Sequence, residues 1–445
     1  MALVPGVQSE TQCSGLLTHT IRPPHLHNEG AGKPWAIVKN PFTEEKHVQM
    51  MEAFLLISMI LGIFLPYGLY LAGRDHVRRG LTGRTGTDGL ADKPFASNLP
   101  CVGIVVPLTG STSTMRACLE SLLGQSYPDY QVIFVTCGPD DPASQIVSEL
   151  ISERKNARHV FSGEASRCSQ KNHNLLAGVS ALGTSAEILT FCDSTHMAPQ
   201  HFLADLVSPI IQGEAFMTTG FHRVTPGDMR LPTLGMLVSV MSIHLMQAIT
   251  AITQPWGGAT AISRQTFEDN EIGSLWATNF VDDLSMGTLL AKAGIRVKPV
   301  SSACLLTPLS GVTLRGWHGW LKRQLFFLKF CQPGVWIASA LAAYLFAAPL
   351  LAGLAFSAGL LGIASKTVAI SGFFCLVAFC ALGLKWRTLT QEKIPAWRWI
   401  SAFFAGGLMA VVCYAGTWAG NILPWRGISY RVSWGGKVEE VIRSR

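Results

Sequence analysis

Long apolar segments and shorter alternating ones divide this chain into two kinds of region. Four segments contain no Asp, Glu, Lys or Arg: residues 53–73, 336–365, 367–384 and 399–425. Each is close to or above the ~20 residues that cross a bilayer. About 260 residues of mixed composition lie between the first segment and the second, enough for one soluble domain with its own core. We therefore predict one transmembrane helix at residues 51–73 and about three at residues 335–425.

The pattern within the central region predicts strands that alternate with helices. Residues 101–107 and 131–136 are rich in β-branched residues and predict strands, whereas residues 115–123 have helical spacing. A third apolar run, residues 188–192, predicts a buried strand that ends at Asp193 and precedes another helix. This order is typical of a Rossmann-like α/β sheet. No GxGxxG motif follows the first two strands, which disfavours a dinucleotide cofactor.

Composition supports a membrane protein and indicates its orientation. Of 445 residues, 49% are hydrophobic and only 14% are charged, which is too apolar for an ordinary soluble protein. Arg74, Arg78, Arg79 and Arg84 follow the first apolar segment. By the positive-inside rule, the central domain at residues 98–312 should face the cytoplasm.

The net charge and the cysteines limit the possible partners. The net charge of +7 is modest, and no basic stripe interleaved with aromatic residues is present, which disfavours nucleic acid as a partner. Basic patches are better suited here to lipid headgroups or to phosphates. Eleven cysteines occur without a CxxC pair, which predicts neither a zinc site nor a disulfide framework.

The remaining segments receive simpler predictions. Residues 1–50 lack periodicity and predict a disordered or loosely packed extension. Residues 313–334 predict an amphipathic basic-aromatic helix at the membrane interface. Residues 426–445 predict a basic tail. Three C-terminal crossings would leave this tail outside, although its charge favours the inside, so a re-entrant segment at residues 336–365 remains open.

Residues 231–263 also contain no Asp, Glu, Lys or Arg. We expect a methionine-rich helix at the membrane interface here, because a spanning helix would separate Asp193 from Asp283. The loop that follows contains Trp256, Gly257 and Gly258, which are candidates to line the site. A lipid acceptor could lie on this apolar surface, and plain core packing is a comparable alternative.

Asp193 is the first candidate site residue, because it directly follows the strand predicted at residues 188–192. Ligands of open α/β sheets bind outside the carboxyl ends of the strands, where a carboxylate can reach a metal or a phosphate. The alternative is a turn or helix-capping residue.

Several ordered motifs resemble the ceramide glucosyltransferase family. The segment PLTGSTSTMRACLESLLGQSYPDYQVIFVTCGPDDPA at residues 107–143 is similar to the family's opening, and SQKNHNL at residues 169–175 is similar to its NxKxNNL run. Asp193 lies in a Cys-Asp-Ser match, and Asp282-Asp283 stands where the family has Glu-Asp. The segment after residue 423 resembles its W-R-x-G-R-Y-R tail. The resemblance implies a GT-A glycosyltransferase domain between membrane helices.

The resemblance also implies a role for each acidic position. Asp141 would lie near the nucleoside, with helix capping as the alternative. Asp193 would hold Mg²⁺ or Mn²⁺ that bridges the diphosphate. Asp283 would be the general base, and a charged Asp282 beside it could raise its pKa if the site is dry. Stabilisation of both carboxylates by the helix dipole is the structural alternative for this pair.

The metal site departs from the DxD pattern of many related transferases. Asp193 is followed by Ser194, Thr195 and His196, so the second carboxylate is absent. Metal should therefore bind appreciably only together with the nucleotide sugar. His196 is a candidate ligand or phosphate contact, although a solvent-facing turn histidine is the favoured alternative.

Other candidate contacts follow from the motifs. Lys171 is a candidate donor contact, with a surface lysine as the alternative, and His222 is a candidate for the donor or acceptor side. The family has a (Q/R)xxRW motif that binds the diphosphate. Here only Arg323 matches it clearly, whereas Trp320 and Gln324 depart from the pattern.

The expected activity is inverting transfer of a hexose, most simply glucose from UDP-glucose, to the primary hydroxyl of ceramide by a single displacement. A hopanoid or diacylglycerol acceptor, or UDP-N-acetylglucosamine as donor, would preserve the chemistry. The alternative of another class is an inactive membrane scaffold, suggested by the altered (Q/R)xxRW motif.

Overall fold

The structure is a computed structural model that describes residues 41–82 and 99–443. The predicted extension lies outside the described residues up to residue 40. The strands are β1 (Val102–Pro107), β2 (Tyr130–Thr136), β3 (Ala157–Phe161), β4 (Ile188–Cys192), β5 (Met217–Pro226), β6 (Ala259–Ser263), β7 (Lys298–Leu309), β8 (Ile422–Trp425), β9 (Ile428–Val432) and β10 (Val438–Arg443). The first nine helices are α1 (Pro41–Thr82), α2 (Met115–Leu123), α3 (Pro142–Ile151), α4 (Gln170–Leu182), α5 (Phe202–Ile211), α6 (Leu231–Gln247), α7 (Arg264–Asp269), α8 (Ile272–Trp276) and α9 (Asp283–Lys292). The others are α10 (Leu314–Cys331), α11 (Pro333–Phe346), α12 (Ala348–Leu360), α13 (Lys366–Arg387) and α14 (Ala396–Ala415).

A mixed seven-stranded sheet forms the centre of the catalytic region, in the order β3-β2-β1-β4-β6-β5-β7. Strands β3, β2, β1 and β4 are parallel, and β6 is antiparallel to both of its neighbours. The predicted α/β class, the strands at β1, β2 and β4 and the helix at α2 are confirmed. Both faces of the sheet are covered, because side chains that alternate along each strand enter two separate apolar clusters.

Within the described residues, four helical segments are long and apolar enough to cross a membrane. They are Lys46–Leu81, Pro333–Leu360, Lys366–Arg387 and Ala396–Ala415. Their limits differ from the sequence prediction at both ends. Helix α1 already begins at Pro41, so residues 41–50 are helical, and the last segment ends at Ala415 instead of near residue 425.

Helix α6 is the methionine-rich helix predicted from residues 231–263, but most of its surface is buried. It packs on β5 below, and on α10 and α14 above. Met241 is buried, whereas Met246 is exposed. The predicted interfacial position is therefore wrong for most of this helix, and core packing describes it better, because two further helices cover its apolar surface.

Both ends of helix α14 contact elements of the catalytic region. Near its beginning, Arg398 donates a hydrogen bond to the Met229 carbonyl at 3.5 Å. In the middle, Gly406 lies against Val238 of α6. At its end, Cys413 donates to the His318 carbonyl of α10 at 3.5 Å. Helix α14 thus lies along α6 and α10.

The last residues form a small sheet instead of the predicted free tail. Strands β8, β9 and β10 pair antiparallel in that order. Leu423, Ile428, Tyr430 and Val432 point to one face, where they join Phe280 and Phe330 in an apolar cluster. The tail prediction is wrong because this alternating face has a partner surface on α10.

Candidate active site

Three aspartates and one lysine meet at the carboxyl end of β4, and we call them the acidic cluster: Lys171, Asp193, Asp282 and Asp283. Lys171 extends from the first turn of α4, and its Nζ lies 3.1 Å from Asp193 Oδ1 and 2.9 Å from Asp282 Oδ2. The chain thus brings together four of the predicted site residues. Because parallel strands end at the same edge, residues distant in sequence converge there.

Lys171 is charged although it is buried. Burial lowers the pKa of its ammonium group, but the carboxylates of Asp193, Asp282 and Asp283 raise it by more, so the net pKa lies above the usual value. A surface lysine, the alternative considered for this position, is therefore wrong. Lys171 is a fixed positive charge that compensates part of the surrounding negative charge.

Asp283 differs from its neighbour Asp282 in its environment. Asp282 is buried and forms the ion pair with Lys171. Asp283 accepts hydrogen bonds from the Gly257 amide at 3.0 Å and the Leu284 amide at 2.7 Å. Burial, reinforced by the charge of Asp282, raises the pKa of Asp283 to about 7, and Lys171 opposes the rise. This value is suited to a general base at neutral pH.

Gly257 brings the backbone unusually close to the acidic cluster. A Cβ at this position would lie 2.3 Å from Asp282 Oδ2 and 2.7 Å from Lys171 Nζ. Real Cβ atoms do not approach so closely, so only glycine allows its amide to reach Asp283 here. The neighbouring Gly258 has a similar restriction, because its Cβ would lie 2.3 Å from the Trp256 ring.

A buried histidine pair lies next to Asp193. The Nδ1 atoms of His196 and His222 lie 2.7 and 2.6 Å from the same Thr307 hydroxyl oxygen. Trp256 stacks on His222 with ring centroids 4.6 Å apart. Burial lowers the pKa of His196 to about 4 and that of His222 well below its usual value, so both rings are neutral. His196 is therefore not the solvent-facing histidine favoured as its alternative.

Asp193 and His196 offer a divalent cation few protein ligands. No group of three or more His, Cys, Asp or Glu side chains within residues 41–82 and 99–443 could hold a metal. Asp193 Oδ2 lies 4.0 Å from His196 Nε2, while Asp193 Oδ1 pairs with Lys171. One carboxylate and one neutral imidazole fit Mg²⁺ or Mn²⁺ only if phosphate oxygens complete the coordination.

Asp141 lies at the start of α3, apart from the acidic cluster. It is the N-cap of this helix and accepts the Ala143 amide at 2.9 Å. It also accepts the Gly110 amide at 3.0 Å, which joins the loop after β1 to α3. The contacts of Asp141 are therefore those of a helix-capping residue, which was the alternative for this position.

Helix α10 positions Arg323, but the other two residues predicted there do not reach the acidic cluster. Burial lowers the pKa of the half-buried Arg323 guanidinium, as does the charge of Arg426, whereas Asp193 raises it. Trp320 packs against the cluster that surrounds α6, and Gln324 lies partly exposed on α10. Arg426 was not among the predicted site residues. The available signal was the alternation of apolar and polar residues at 428–432, which predicts a strand directly after Gly427.

The sheet topology, the acidic cluster at its carboxyl edge and the attached apolar helices define a membrane-bound glycosyltransferase of the GT-A type. The chain belongs to glycosyl transferase family 21, whose model matches residues 70–438. This is the ceramide glucosyltransferase family, so the resemblance seen in the motifs is confirmed.

Solved structures with a similar fold include two glycosyltransferases. The mannosyltransferase PcManGT from Pyrobaculum calidifontis, in complex with GDP-Man and Mn²⁺, is 18% identical. The match covers 80% of this chain and 99% of that chain with a TM-score of 0.47. GalNAc-T7 with UDP, GalNAc and Mn²⁺ is 14% identical over 53% of this chain and 49% of that chain, with a TM-score of 0.36.

Proposed function

We propose that this chain transfers glucose from UDP-glucose to the primary hydroxyl of ceramide by an inverting single displacement. The observation that supports the mechanism most directly is Asp283. Its carboxylate is fixed by two backbone amides and has a pKa of about 7. A base with this pKa is substantially ionised at neutral pH and can still accept the proton of the attacking hydroxyl.

The roles of the other residues follow from their charges. Lys171 keeps Asp193 and Asp282 in position and limits the repulsion among the three carboxylates. Arg323 contacts the diphosphate of the donor, and Asp141 orders the loop beside the nucleoside. A single base suffices for inversion, because the hydroxyl attacks the anomeric carbon as the nucleoside diphosphate leaves on the opposite face.

Asp193 and His196 would hold Mg²⁺ or Mn²⁺ together with the donor phosphates. The ion would neutralise charge that develops on the leaving diphosphate. Because Lys171 already engages one oxygen of Asp193, the chain alone offers at most two ligands. We expect negligible metal binding by the protein without nucleotide, and this can be measured by titration with Mn²⁺.

The acceptor should approach from the side of Trp256. Its ring packs against both the catalytic core and the apolar cluster that surrounds α6, α13 and α14. A lipid hydroxyl could thus reach Asp283 while its chains stay near the membrane. The arginines at the end of α1, adjacent to the catalytic region, favour a cytoplasmic location for this site.

The decisive experiment compares Asp283→Asn with Asp269→Asn in membranes from cells that express each variant. Asp269 is an exposed acid on α7 outside the acidic cluster. We expect Asp283→Asn to lower transfer at least about 100-fold, as is typical for loss of a general base, and Asp269→Asn to leave it unchanged. Mass spectrometry of the lipids identifies the sugar and the acceptor together.

The result also separates the alternatives. A hopanoid, a diacylglycerol or an N-acetylglucosamine product would preserve the mechanism and change the substrate. Wild-type transfer by Asp283→Asn would show that the base is assigned wrongly. No turnover of any donor and acceptor pair by the wild type would support the scaffold alternative.

A further inference from the structure

The C-terminal sheet contacts two of the three backbone segments that carry the acidic cluster. The Phe280 amide donates to the Gly436 carbonyl at 2.8 Å, and the Val438 amide donates to the Thr278 carbonyl at 2.9 Å. These bonds hold the segment that leads into Asp282 and Asp283. The Gln170 amide, directly before Lys171, donates to the Tyr430 hydroxyl at 3.1 Å. The sheet is therefore part of the site's framework.

The turn between β8 and β9 contains Arg426 in an unusual conformation. Trp425 pairs with Ile428, so Arg426 and Gly427 are the two turn residues. Their φ angles are 50° and 81°. A two-residue turn with both φ angles positive favours Asn-Gly or Gly-Gly. An arginine at the first position is not explained by turn geometry, because its Cβ disfavours this region.

The hairpin packs beside Arg323. Phe326 and Phe330 of α10 share an apolar cluster with Leu423 and Ile428 of the hairpin, and Arg323 lies one helical turn before Phe326. The Arg426 charge acts on the Arg323 guanidinium together with that of Asp193. Neither arginine forms an ion pair with a carboxylate in the part of the chain that the structure describes. Two neighbouring cations beside the acidic cluster raise the local positive potential, which favours an anion.

We propose that Arg426 is a binding residue for the donor diphosphate and acts together with Arg323. This inference rests on the proposed function, since it deepens the description of the same site. Guanidinium groups bind phosphate oxygens in a bidentate manner, and two of them match the two phosphates of a nucleoside diphosphate. The second arginine, supplied by the hairpin, also offers a physical reason why the altered (Q/R)xxRW motif need not abolish binding.

The test compares Arg426→Gly with Arg431→Ala in the full-length protein in lipid nanodiscs. Glycine suits a positive φ, so Arg426→Gly removes the charge without straining the turn. Arg431 lies on β9, and its Nε lies 3.0 Å from Glu440 Oε2, so this control removes a cation of the same sheet. Calorimetry with UDP, GDP and UMP measures the contribution of the β-phosphate.

We expect Arg426→Gly to weaken binding of the preferred diphosphate at least about tenfold and that of UMP much less. Arg431→Ala should bind both as the wild type does. Wild-type diphosphate affinity in Arg426→Gly, or an equal loss for UDP and UMP, would overturn the assignment. Failure of the wild type to bind either UDP or GDP would instead contradict the proposed function itself.

Discussion

The assignment of Asp283 as base can be tested through its neighbour, with Asp282→Asn. The charge of Asp282 contributes to the raised pKa of Asp283, and Lys171 lowers it. Removing the Asp282 charge should therefore lower the pKa of Asp283. Lys171 keeps its 3.1 Å ion pair with Asp193, so the variant does not leave a buried cation without a partner.

The size of the shift follows from electrostatics. Two unit charges roughly 6 Å apart interact by about 3 kcal/mol at an effective dielectric constant of about 20, which corresponds to about two pKa units. Asp283 is only partly buried, so solvent screens the interaction and we expect a decrease of about one pKa unit. The base must be ionised to act, so transfer by the wild type should rise with pH up to about pH 7. In the variant, the midpoint of this rise in activity with pH should lie near pH 6.

The assay is the pH dependence of kcat/KM in detergent or nanodiscs, with the rate at high pH as internal reference. Relative to its own plateau, the variant should be about fivefold more active than the wild type at pH 6. An unchanged limb would show that Asp282 does not act on the base. A limb that moves to higher pH would refute the assignment of Asp283, because removal of a neighbouring negative charge cannot raise a carboxyl pKa.

Two further predictions concern the backbone and the topology. Gly257→Ala should lower kcat about 100-fold, because the added Cβ would collide with the Asp282 carboxylate. The control Gly319→Ala on α10, where an added Cβ meets no atom within 4 Å, should retain wild-type activity. Equal rates for the two variants would contradict the close approach of the Gly257 backbone to Asp282. The C-terminal sheet is hydrogen-bonded to residues 278–280 and to Gln170 of the catalytic region, so an epitope tag after the last residue should be accessible from the same membrane side as the exposed turn after α3. Accessibility from opposite sides would contradict this packing.

The strands and the acidic positions could be predicted because their signals are local. An apolar run that ends at Asp193 indicates a strand and a polar edge without knowledge of the rest of the fold. The burial of His196 could not be predicted in this way, because it depends on Thr307 and Trp256, which are distant in sequence. The same reason explains α6, whose apolar surface is equally compatible with lipid and with two covering helices.

The C-terminal sheet was missed for a different reason. Ile428, Tyr430 and Val432 alternate with polar residues, so the pattern of a half-buried strand was present, although Arg426-Gly427 is not a usual hairpin turn pair. The count of basic residues in this segment favoured a solvated tail. The basic residues lie on the face of the sheet that meets solvent, whereas the alternating apolar residues form the face that packs on α10.

The C-terminal sheet has a consequence for the order of biosynthesis. Lys171, Asp193 and Asp283 are synthesised long before strands β8 to β10. The backbone of these strands and the Tyr430 hydroxyl hold the segments next to Lys171 and Asp283. Helices α11 to α14 must also be released before strands β8 to β10 can dock. A nascent chain still engaged in membrane insertion therefore lacks the completed site. We expect activity only after strands β8 to β10 have docked, and a chain truncated before β8 should insert into the membrane without a finished catalytic centre.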